Sequence, residues 1–490
     1  MKKWSKYIYF SIFLLILIFI VKNIINYEPN EDLKHKPLSN GNCDCPQVNN
    51  LPVIVIDTKG QKIEANKDYV ETTINDRTMN LHDKSPKYLA SLKLYEPIDG
   101  HTCVCQEGVA TLESDILINV RGQSSLINPK KQYTINFKDQ NGEENHLEIL
   151  GLPKHDKWVL NASYSDRSLV RNYLAYKMAG QVMEYAPRTS FVEVYLNDNS
   201  SKEISYEEHY LGVYLLTEKI ERAKDRVNIK KNDDKYSDIS FIIARDKIKI
   251  DDPILKTHWS QLEDDYIIDE YGNIRMRTVI TVTYPGASSL TREDEERIIN
   301  YLNDFEYSLK SNYFNDRRKG YRKYIDVDSF VNFAMINEIF KNLDGGDVST
   351  YFYKDIGGLM KAGPVWDFDL TLGNTPYESA NEPTGFRMVN TLWFDRLFQD
   401  SYFADRYRKA LYPYYRRTIW TNEKINKMID EAVEELGPAI NRNIKRWYVN
   451  YTEEDYFKEI EDIKKFFENR LAWMDENIHL VKRILENPAK

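Results

Sequence analysis

The hydrophobic period changes once along this chain, and that change constrains the fold more than any other feature. From Leu51 to about residue 245, the apolar residues fall in short runs rich in Val, Ile and aromatic residues, which is typical of β-strands. From about residue 290 they recur every three or four positions, which is typical of amphipathic helices. The sequence therefore predicts an α+β fold, with a β-rich N-terminal lobe over 51–245 and a helical C-terminal lobe over 246–488.

Individual elements follow from the same patterns. Strands are predicted at Leu51 to Ile56, Ile116 to Val120, Tyr133 to Phe137, Phe191 to Leu196, Leu211 to Thr217 and Ser240 to Ala244. One helix, over about 166–183, interrupts them. Thr291 and Asp294 have the spacing of a capping box, which predicts that a helix begins there. A further helix is predicted over about 328–341, and a strand pair follows it at 351–365.

The N-terminal segment has the pattern of a membrane anchor. Three lysines precede an uncharged apolar run from Tyr7 to Val21, which continues past Lys22 to Ile25. No small-residue cleavage site follows the run, which favours an uncleaved signal anchor over a removed signal peptide. A positively charged flank of a membrane-spanning segment usually stays in the cytoplasm. The three leading lysines therefore place the N-terminus there, and the main domain is expected on the other side of the membrane, at a cell surface. The predicted order is a cytoplasmic tail, a membrane-spanning helix and a stalk, over residues 1–6, 7–25 and 26–50.

All four cysteines occur in Cys-x-Cys pairs, Cys43 with Cys45 and Cys103 with Cys105. An even number of cysteines in an exported chain predicts disulfides. A four-thiolate zinc site is the alternative, although the usual Cys-x2-Cys spacing is missing. The sequence leaves the pairing of the four sulfurs open.

Charge argues against one class of partner. The net charge is −9 over 490 residues, whereas a nucleic-acid binder needs a clustered Lys/Arg surface to neutralise phosphates. The basic run from Arg222 to Lys231 is interpreted as a solvated face. No Gly-x-Gly-x-x-Gly loop or Walker sequence occurs, so these common motifs do not identify a nucleotide site. We therefore expect no nucleic-acid partner.

The segment after the predicted 328–341 helix has acidic residues on both sides of a strand pair. Asp344 precedes the pair, a Gly-Gly turn lies within it, and Asp367 and Asp369 follow it. Because a hairpin returns the chain to near its start, Asp344 is expected to face the other two across one site. Clustered carboxylates repel one another unless a cation lies between them, and such oxygen clusters suit Mg²⁺. The alternative is structural: the later pair caps a helix, and Asp344 closes a turn.

The stretch GPVWDFDLTLGN at 363–374 resembles the signature of the CotH kinase family, atypical protein kinases that act on spore-coat and other exported proteins. Further blocks resemble the family in the same order. They are VRGQSS at 120–125 with PKKQY at 129–133, DRSLVRNYLA at 166–175, FVEVYLN at 191–197 and GVYLLTEK at 212–219. The resemblance covers roughly residues 51–374 and beyond, and it implies a two-lobed, atypical protein-kinase-like fold.

The resemblance implies catalytic roles for the acidic residues. Asp344 matches the catalytic Asp that orients a substrate hydroxyl, Asp369 matches the metal-binding Asp, and Asp367 is a neighbour that shares the metal. The implied reaction transfers the γ-phosphate of ATP to Ser or Thr of an exported, spore-coat or surface protein, with Mg²⁺ or Mn²⁺ as the metal. The alternative is a catalytically inactive surface-binding or adhesin module on the same fold.

Four residues match the family's nucleotide-binding positions. Arg121, Lys130 and Lys131 match basic groups that bind the phosphates, and Glu218 matches an acid that positions a lysine or a second metal. Lys131 shares its strand face with the apolar Tyr133, which predicts that it points inward and is the better phosphate ligand. Lys130 is expected to face the opposite way unless a bulge intervenes.

Overall fold

The computed structural model describes residues 49–481, with gaps at 67–68, 75–76, 83, 103, 105–108, 234, 248, 250–251, 258–266, 269–273, 276–277 and 376–380. The predicted cytoplasmic tail and nearly all of the predicted stalk lie outside the described residues. All four cysteines lie outside them too. The disulfides and the alternative zinc site therefore stay predictions.

The single-pass localisation predicted from the sequence is corrected by the structure. Within the described residues, no helix is both long enough and apolar enough to cross a bilayer. The longest one, Glu453–Asn477, buries one stripe of side chains and has three acidic residues in its first turn. The apolar run from Tyr7 to Ile25, on which the prediction depended, lies outside the described residues. The single-pass assignment is withdrawn.

The described secondary structure is numbered here along the chain. The strands are β1 Val53–Asp57, β2 Tyr69–Ile74, β3 Arg77–His82, β4 Tyr88–Tyr95, β5 Leu112–Arg121, β6 Gln132–Lys138, β7 Leu147–Ile149, β8 Leu152–His155, β9 Lys157–Asn161, β10 Thr189–Asn197, β11 Tyr210–Glu218, β12 Phe241–Lys247, β13 Ile254–Leu255, β14 Ile267–Ile268, β15 Ile274–Arg275, β16 Thr278–Tyr284, β17 Thr350–Lys354 and β18 Lys361–Ala362. The α-helices are α1 Arg171–Gly180, α2 Tyr206–His209, α3 Arg292–Lys310, α4 Val327–Ile339, α5 Phe394–Leu397, α6 Ser401–Asp405, α7 Tyr412–Thr418, α8 Asn422–Leu436, α9 Ala439–Trp447 and α10 Glu453–Asn477. Short 3₁₀ turns occur at Ser124–Ile127, Tyr321–Lys323, Met388–Asn390 and Ile478–Leu480, and a π-helix at Arg406–Leu411.

Seven strands of the N-terminal region close into a barrel, in the order β1-β10-β11-β9-β6-β5-β4. Strand β1 runs parallel to β10, and β5 pairs antiparallel with β6. Alternate side chains of β6 are buried, as the period of a half-buried strand requires, and they are Tyr133, Ile135 and Phe137. The interior of the barrel is therefore one of the hydrophobic cores of the protein.

A second sheet has the order β13-β16-β12-β17-β18. Its last two strands lie between Asp344 and the Asp367/Asp369 pair in the sequence. The sheet combines strands that are distant in the sequence: β12 precedes β13, whereas β17 and β18 follow helix α4. The predicted strand pair at 351–365 is present as β17 and β18, with Phe352 opposite Ala362. The C-terminal helices share a large apolar core with this sheet and with α1. Asp344, Asp367 and Asp369 therefore lie in turns next to both this sheet and the helices.

The α+β class is confirmed, with a β-rich N-terminal region and helices towards the C-terminus. The capping box is present, since the Thr291 hydroxyl accepts the Asp294 N–H and the Asp294 carboxylate accepts the Thr291 N–H. The helix predicted over 166–183 is shorter, because Leu169 has a φ of +65° and α1 begins only at Arg171. The two-lobed kinase-like arrangement stays a prediction.

Candidate functional site

The β17–β18 pair brings the predicted acidic residues to one place. Asp344 lies in the turn between α4 and β17, and Asp367 and Asp369 lie in the turn after β18. All three side chains are half-buried. Because β17 and β18 are antiparallel neighbours, the chain leaves β18 near the point where it entered β17.

The charges of these residues act on one another. Burial raises the pKa of Asp369 well above its ordinary 3.8, and the neighbouring charges of Asp367, Asp166 and Asp344 raise it further. Burial also raises the pKa of Asp367, while the positive charge of Arg121 opposes that rise. Four carboxylates thus form one electrostatic cluster, called here the acidic cluster, which consists of Asp166, Asp344, Asp367 and Asp369.

The backbone at Asp367 is strained and is held from helix α1. Asp367 has a φ of +67°, which is uncommon for a residue with a side chain. Its N–H donates to the Tyr176 hydroxyl at 3.3 Å, and the next N–H, of Phe368, donates to Asn172 Oδ1 at 2.7 Å. The Ser349 hydroxyl donates to Asp367 Oδ2 at 3.3 Å. These contacts fix the direction of the Asp367 carboxylate.

The segment before α1 is bonded to the same turn. Arg171 Nε donates to the Thr371 carbonyl at 2.9 Å, and its Nη1 donates to Asp166 Oδ1 at 2.6 Å. Asn374 Nδ2 donates to the Ser165 carbonyl at 2.9 Å. Among the described residues, the buried Nδ2 of Asn172 has no hydrogen-bond partner. Asn172 is 1% exposed, and its Oδ1 accepts the Phe368 N–H, so the residue joins α1 to this turn from inside the fold.

The turn that contains Asp344 is tightly closed. The Asp344 carbonyl accepts hydrogen bonds from the N–H groups of Asp347, at 2.9 Å, and Val348, at 2.7 Å. The Asp347 carboxylate lies between two guanidinium groups: Arg245 Nη1 is 2.8 Å from its Oδ1, and Arg387 Nη2 donates to its Oδ2. Arg387 also donates to the Leu343 carbonyl from Nε at 3.0 Å and Nη2 at 2.8 Å. Asp347, Arg245 and Arg387 are called here the arginine clamp.

Of the predicted basic residues, Arg121 lies beside the acidic cluster. Its guanidinium carbon is 5.3 Å from the centre of the Trp366 ring. Trp366 in turn stacks on Tyr176, with ring centres 5.9 Å apart. Within the described residues, no carboxylate lies at ion-pair distance from Arg121, so its charge is available to a ligand.

The structure places Lys130 elsewhere. It is 1% exposed, and its ammonium donates to the Val213 carbonyl and, at 3.0 Å, to Asn443 Oδ1 of helix α9. Burial lowers its pKa well below the ordinary value. Lys131 is half-buried and donates to the Leu126 carbonyl at 2.5 Å. Strand β6 begins only at Gln132, so strand parity does not determine the direction of either lysine.

Glu218 is fully buried at the end of β11, and its carboxylate pairs with two arginines. Arg188 donates to it from Nε at 3.0 Å and from Nη2 at 2.7 Å, and Arg226 Nε lies 3.8 Å away. The structure therefore groups Glu218 with two arginines rather than with a lysine or with the acidic cluster.

Sequence reasoning gave no role to several residues that shape the site. Asp166 and Asn172 fall inside the DRSLVRNYLA block, so the block itself was a signal for them. Asp347 follows Asp344 by three residues, and its acidic side chain next to two glycines was a weaker signal. Arg387 lies far along the chain and no local pattern indicates its contact.

The donor set fits a hard divalent cation. Carboxylate oxygens are the ligands that Mg²⁺ and Mn²⁺ prefer, and a cation among them would relieve the repulsion that adds to the effect of burial on the pKa of Asp369. Asp367 and Asp369 would hold the ion, since they share one turn.

Metal affinity should fall as the pH is lowered, beginning well above pH 3.8. The raised pKa of Asp369 means that protons compete with the metal at pH values where an exposed Asp is fully ionised. Mn²⁺ titrations between about pH 5 and 8 should show this weakening, and Asp369→Asn should flatten the profile. An affinity of the unchanged protein that is constant over this range would contradict the raised pKa.

Known proteins resemble this chain over most of its length. Residues 118–474 match the model of a family described as CotH kinase protein. The inner spore coat protein H of Bacillus subtilis (strain 168) is 24% identical over 371 residues, which cover 75% of this chain and 88% of the relative. Since the family match spans well over half of the chain, the chain belongs to the CotH kinase protein family.

Proposed function

We propose that this protein is an ATP-dependent and Mg²⁺-dependent protein kinase that phosphorylates Ser or Thr. One observation supports this most: Asp344, Asp367 and Asp369 lie together in the fold, where burial, and then the neighbouring negative charges, raise the pKa of Asp369 well above its ordinary value. Grouping several carboxylates in a partly buried place costs free energy, so we expect such a cluster where a cation binds rather than in a protein that only binds a partner. Membership of the CotH kinase family supports the same proposal.

The metal and the nucleotide would bind at the acidic cluster. Asp367 and Asp369 would hold Mg²⁺, or Mn²⁺ in its place. When bound, the metal neutralises charge on the nucleotide phosphates. Arg121, which has no carboxylate partner among the described residues, would bind the phosphates. Lys131 remains a further candidate for the phosphates.

Asp344 would accept the proton of the attacking hydroxyl and orient it. The closed turn around its carbonyl keeps the side chain near one position, which is what positioning of a nucleophile requires. The acceptor would be Ser or Thr of a spore-coat or surface protein. This substrate class rests on the relative, which is named an inner spore coat protein.

The proposal includes a two-lobed, kinase-like architecture. Arg121 ends a barrel strand, whereas Asp344 and Asp367 belong to turns among the second sheet and the helices. The coupling between the charges of Arg121 and Asp367 supports a site formed between these two parts of the fold.

Phosphotransfer is the direct test. The full-length chain is incubated with γ-labelled ATP, Mg²⁺ or Mn²⁺ and a Ser/Thr-rich acceptor protein, and label on Ser or Thr is measured. Metal-dependent transfer is expected. Absence of transfer to the acceptor and to the chain itself, in a folded protein, would favour the alternative of an inactive binding or adhesin module.

Arg121→Met should weaken nucleotide binding, whereas Lys130→Met should not. Loss of a charged hydrogen bond to the phosphates is expected to weaken binding about 10- to 100-fold. Lys130 bonds only to groups of the fold, so Lys130→Met should instead lower the free energy of unfolding by roughly 1–3 kcal/mol. Titration with Mg·ATP and denaturant unfolding of both variants distinguish the two roles, and the opposite pattern would restore Lys130 as the phosphate ligand.

A further inference from the structure

A second group of metal-ligating side chains lies outside the acidic cluster. His146 precedes β7, His155 ends β8, and Asp156 follows directly. One possible ligand atom from each of the three lies within 4.8 Å of the other two. Strands β7 and β8 pair with Leu147 opposite His155, which brings the two imidazoles to the same end of the hairpin. Their ring centres are 5.4 Å apart.

The backbone of this group is fixed by the barrel. The Asp156 carbonyl accepts the N–H of Phe137, in β6, at 2.7 Å. The His155 carbonyl accepts Trp158 Nε1 at 3.1 Å, and Trp158 is fully buried. A site whose ligands belong to rigid elements is already organised for binding.

Asp156 has an unused ligand atom. The residue is 1% exposed, and its buried Oδ2 has no hydrogen-bond partner among the described residues. A buried carboxylate oxygen without a partner costs free energy unless a cation or a donor binds it. Among the described residues, the nearest cation is Lys157. Its Nζ lies 3.8 Å from Oδ2, which is an ion-pair distance but beyond hydrogen-bond distance, and it lies 3.5 Å from Glu144 and 3.4 Å from Glu221.

His155 can present a free nitrogen in this setting. Its Nδ1 lies 3.1 Å from the Lys157 N–H nitrogen, a donor, and 3.1 Å from Asp156 Oδ1, an acceptor. Both neutral tautomers of the ring are therefore accommodated. In the tautomer that donates from Nδ1 to Asp156, the Nε2 lone pair is available, which is the arrangement that usually orients a metal-binding histidine.

We propose that His146, His155 and Asp156 bind a divalent transition-metal ion of the Zn²⁺ class. Two imidazoles and one carboxylate suit Zn²⁺, whereas Mg²⁺ prefers an all-oxygen set. A cavity of about 300 Å³ adjoins the site. Its lining includes Lys154, Arg222 and Lys224, so water or an anionic group of a ligand would complete the coordination. This site is independent of the proposed kinase activity.

Zn²⁺ binding to the full-length chain tests the proposal. Isothermal titration is carried out in excess Mg²⁺, which competes with Zn²⁺ at all-oxygen sites but not at imidazoles, and we expect one Zn²⁺ per chain. His146→Ala, at an exposed position, and Asp156→Asn should each weaken binding by roughly 10-fold or more. His479→Ala, at an exposed position elsewhere, is the matched control and should bind as the unchanged chain does.

A variant that is expected to bind Zn²⁺ more tightly is also needed, because a misfolded variant could only lose binding. Lys157→Met removes the competing cation, so it should tighten Zn²⁺ binding. Thermal melting establishes that each variant is folded, and the visible spectrum of the Co²⁺-substituted protein identifies the ligands. Three results would overturn the proposal: unchanged binding in the His146 and Asp156 variants, absence of binding, or a Co²⁺ spectrum with thiolate charge-transfer bands. Thiolate bands would place the metal on the cysteines instead.

Discussion

Asp344→Asn and Asp369→Asn should each lower the rate of phosphotransfer by about 10²–10³, the usual effect of removing one electrostatic group that acts in the transition state. The two variants should differ in binding. Asp369→Asn removes a proposed metal ligand, so metal-dependent nucleotide binding should weaken as well. Asp344→Asn should retain binding and lose transfer, because Asp344 acts on the hydroxyl. Transfer assays and Mg·ATP titrations of both proteins measure the two effects separately.

The stability of the metal-free protein should not fall with Asp369→Asn. Because the folded pKa of Asp369 lies above its ordinary value of 3.8, its contribution to stability is full below that value and is lost as the pH rises through the folded pKa. At neutral pH the charge therefore destabilises the fold, and its removal should leave the melting temperature equal or higher. A purely structural role as a cap or turn residue predicts the reverse, which is a lower melting temperature with unchanged transfer per folded molecule.

Asp304→Asn is the matched control, since Asp304 is exposed on helix α3 and belongs to neither site. It should change neither transfer nor nucleotide binding. If Asp304→Asn reduced transfer as much as Asp344→Asn does, the loss would follow from net charge rather than from position.

Local patterns predicted much of this fold because local chemistry determines those parts. The alternation in β6 and the capping box at Thr291 are set by neighbouring residues, and both are present. The Gly-Gly turn predicted the β17–β18 pair, which returns the chain so that the charge of Asp344 acts on Asp369. The start of α1 was missed, because Asp166 accepts the Ser168 and Arg171 N–H groups and holds the chain in a turn before the helix.

Contacts between distant segments could not be predicted in the same way. The direction of Lys130 depends on Asn443 of helix α9, more than three hundred residues later. Glu218 is paired by Arg188 and Arg226, and no spacing rule distinguishes such a pair from a catalytic one. Family resemblance gave positions for these residues but could not give their partners.

The arginine clamp gives the second large expected effect. Asp347 closes the turn around the Asp344 carbonyl, and Arg245 and Arg387 fix the Asp347 carboxylate from two sides. Arg245 belongs to β12, whereas the Arg387 N–H donates to Glu338 at the end of α4 at 2.9 Å. The position of Asp344 therefore depends on the sheet and on the helices together.

Asp347→Asn and Arg387→Lys should each lower the rate of transfer at saturating ATP on the order of 10²-fold, because a small displacement of an orienting group is costly. Lysine cannot donate to the Leu343 carbonyl and to Asp347 with the geometry of a guanidinium, so the substitution loosens the turn while it keeps the charge. Nucleotide affinity should stay near that of the unchanged protein, since neither residue belongs to the proposed metal and phosphate ligands. Arg292→Lys, at an exposed ion pair on α3, is the control and should have no effect.

A double-mutant cycle between Arg245→Lys and Asp347→Asn tests whether the clamp acts as a unit. If both changes loosen the same turn, their effects on transfer should be less than additive, with a coupling of about 0.5–3 kcal/mol. The rate at saturating ATP, set beside nucleotide affinity, adds a readout that stability alone does not move. A displaced Asp344 should lower the rate while the affinity stays near that of the unchanged protein, whereas partial unfolding would lower the rate and nucleotide binding in parallel. Additive effects together with nucleotide binding that falls in parallel with the rate would show that Asp347 stabilises the fold without positioning Asp344.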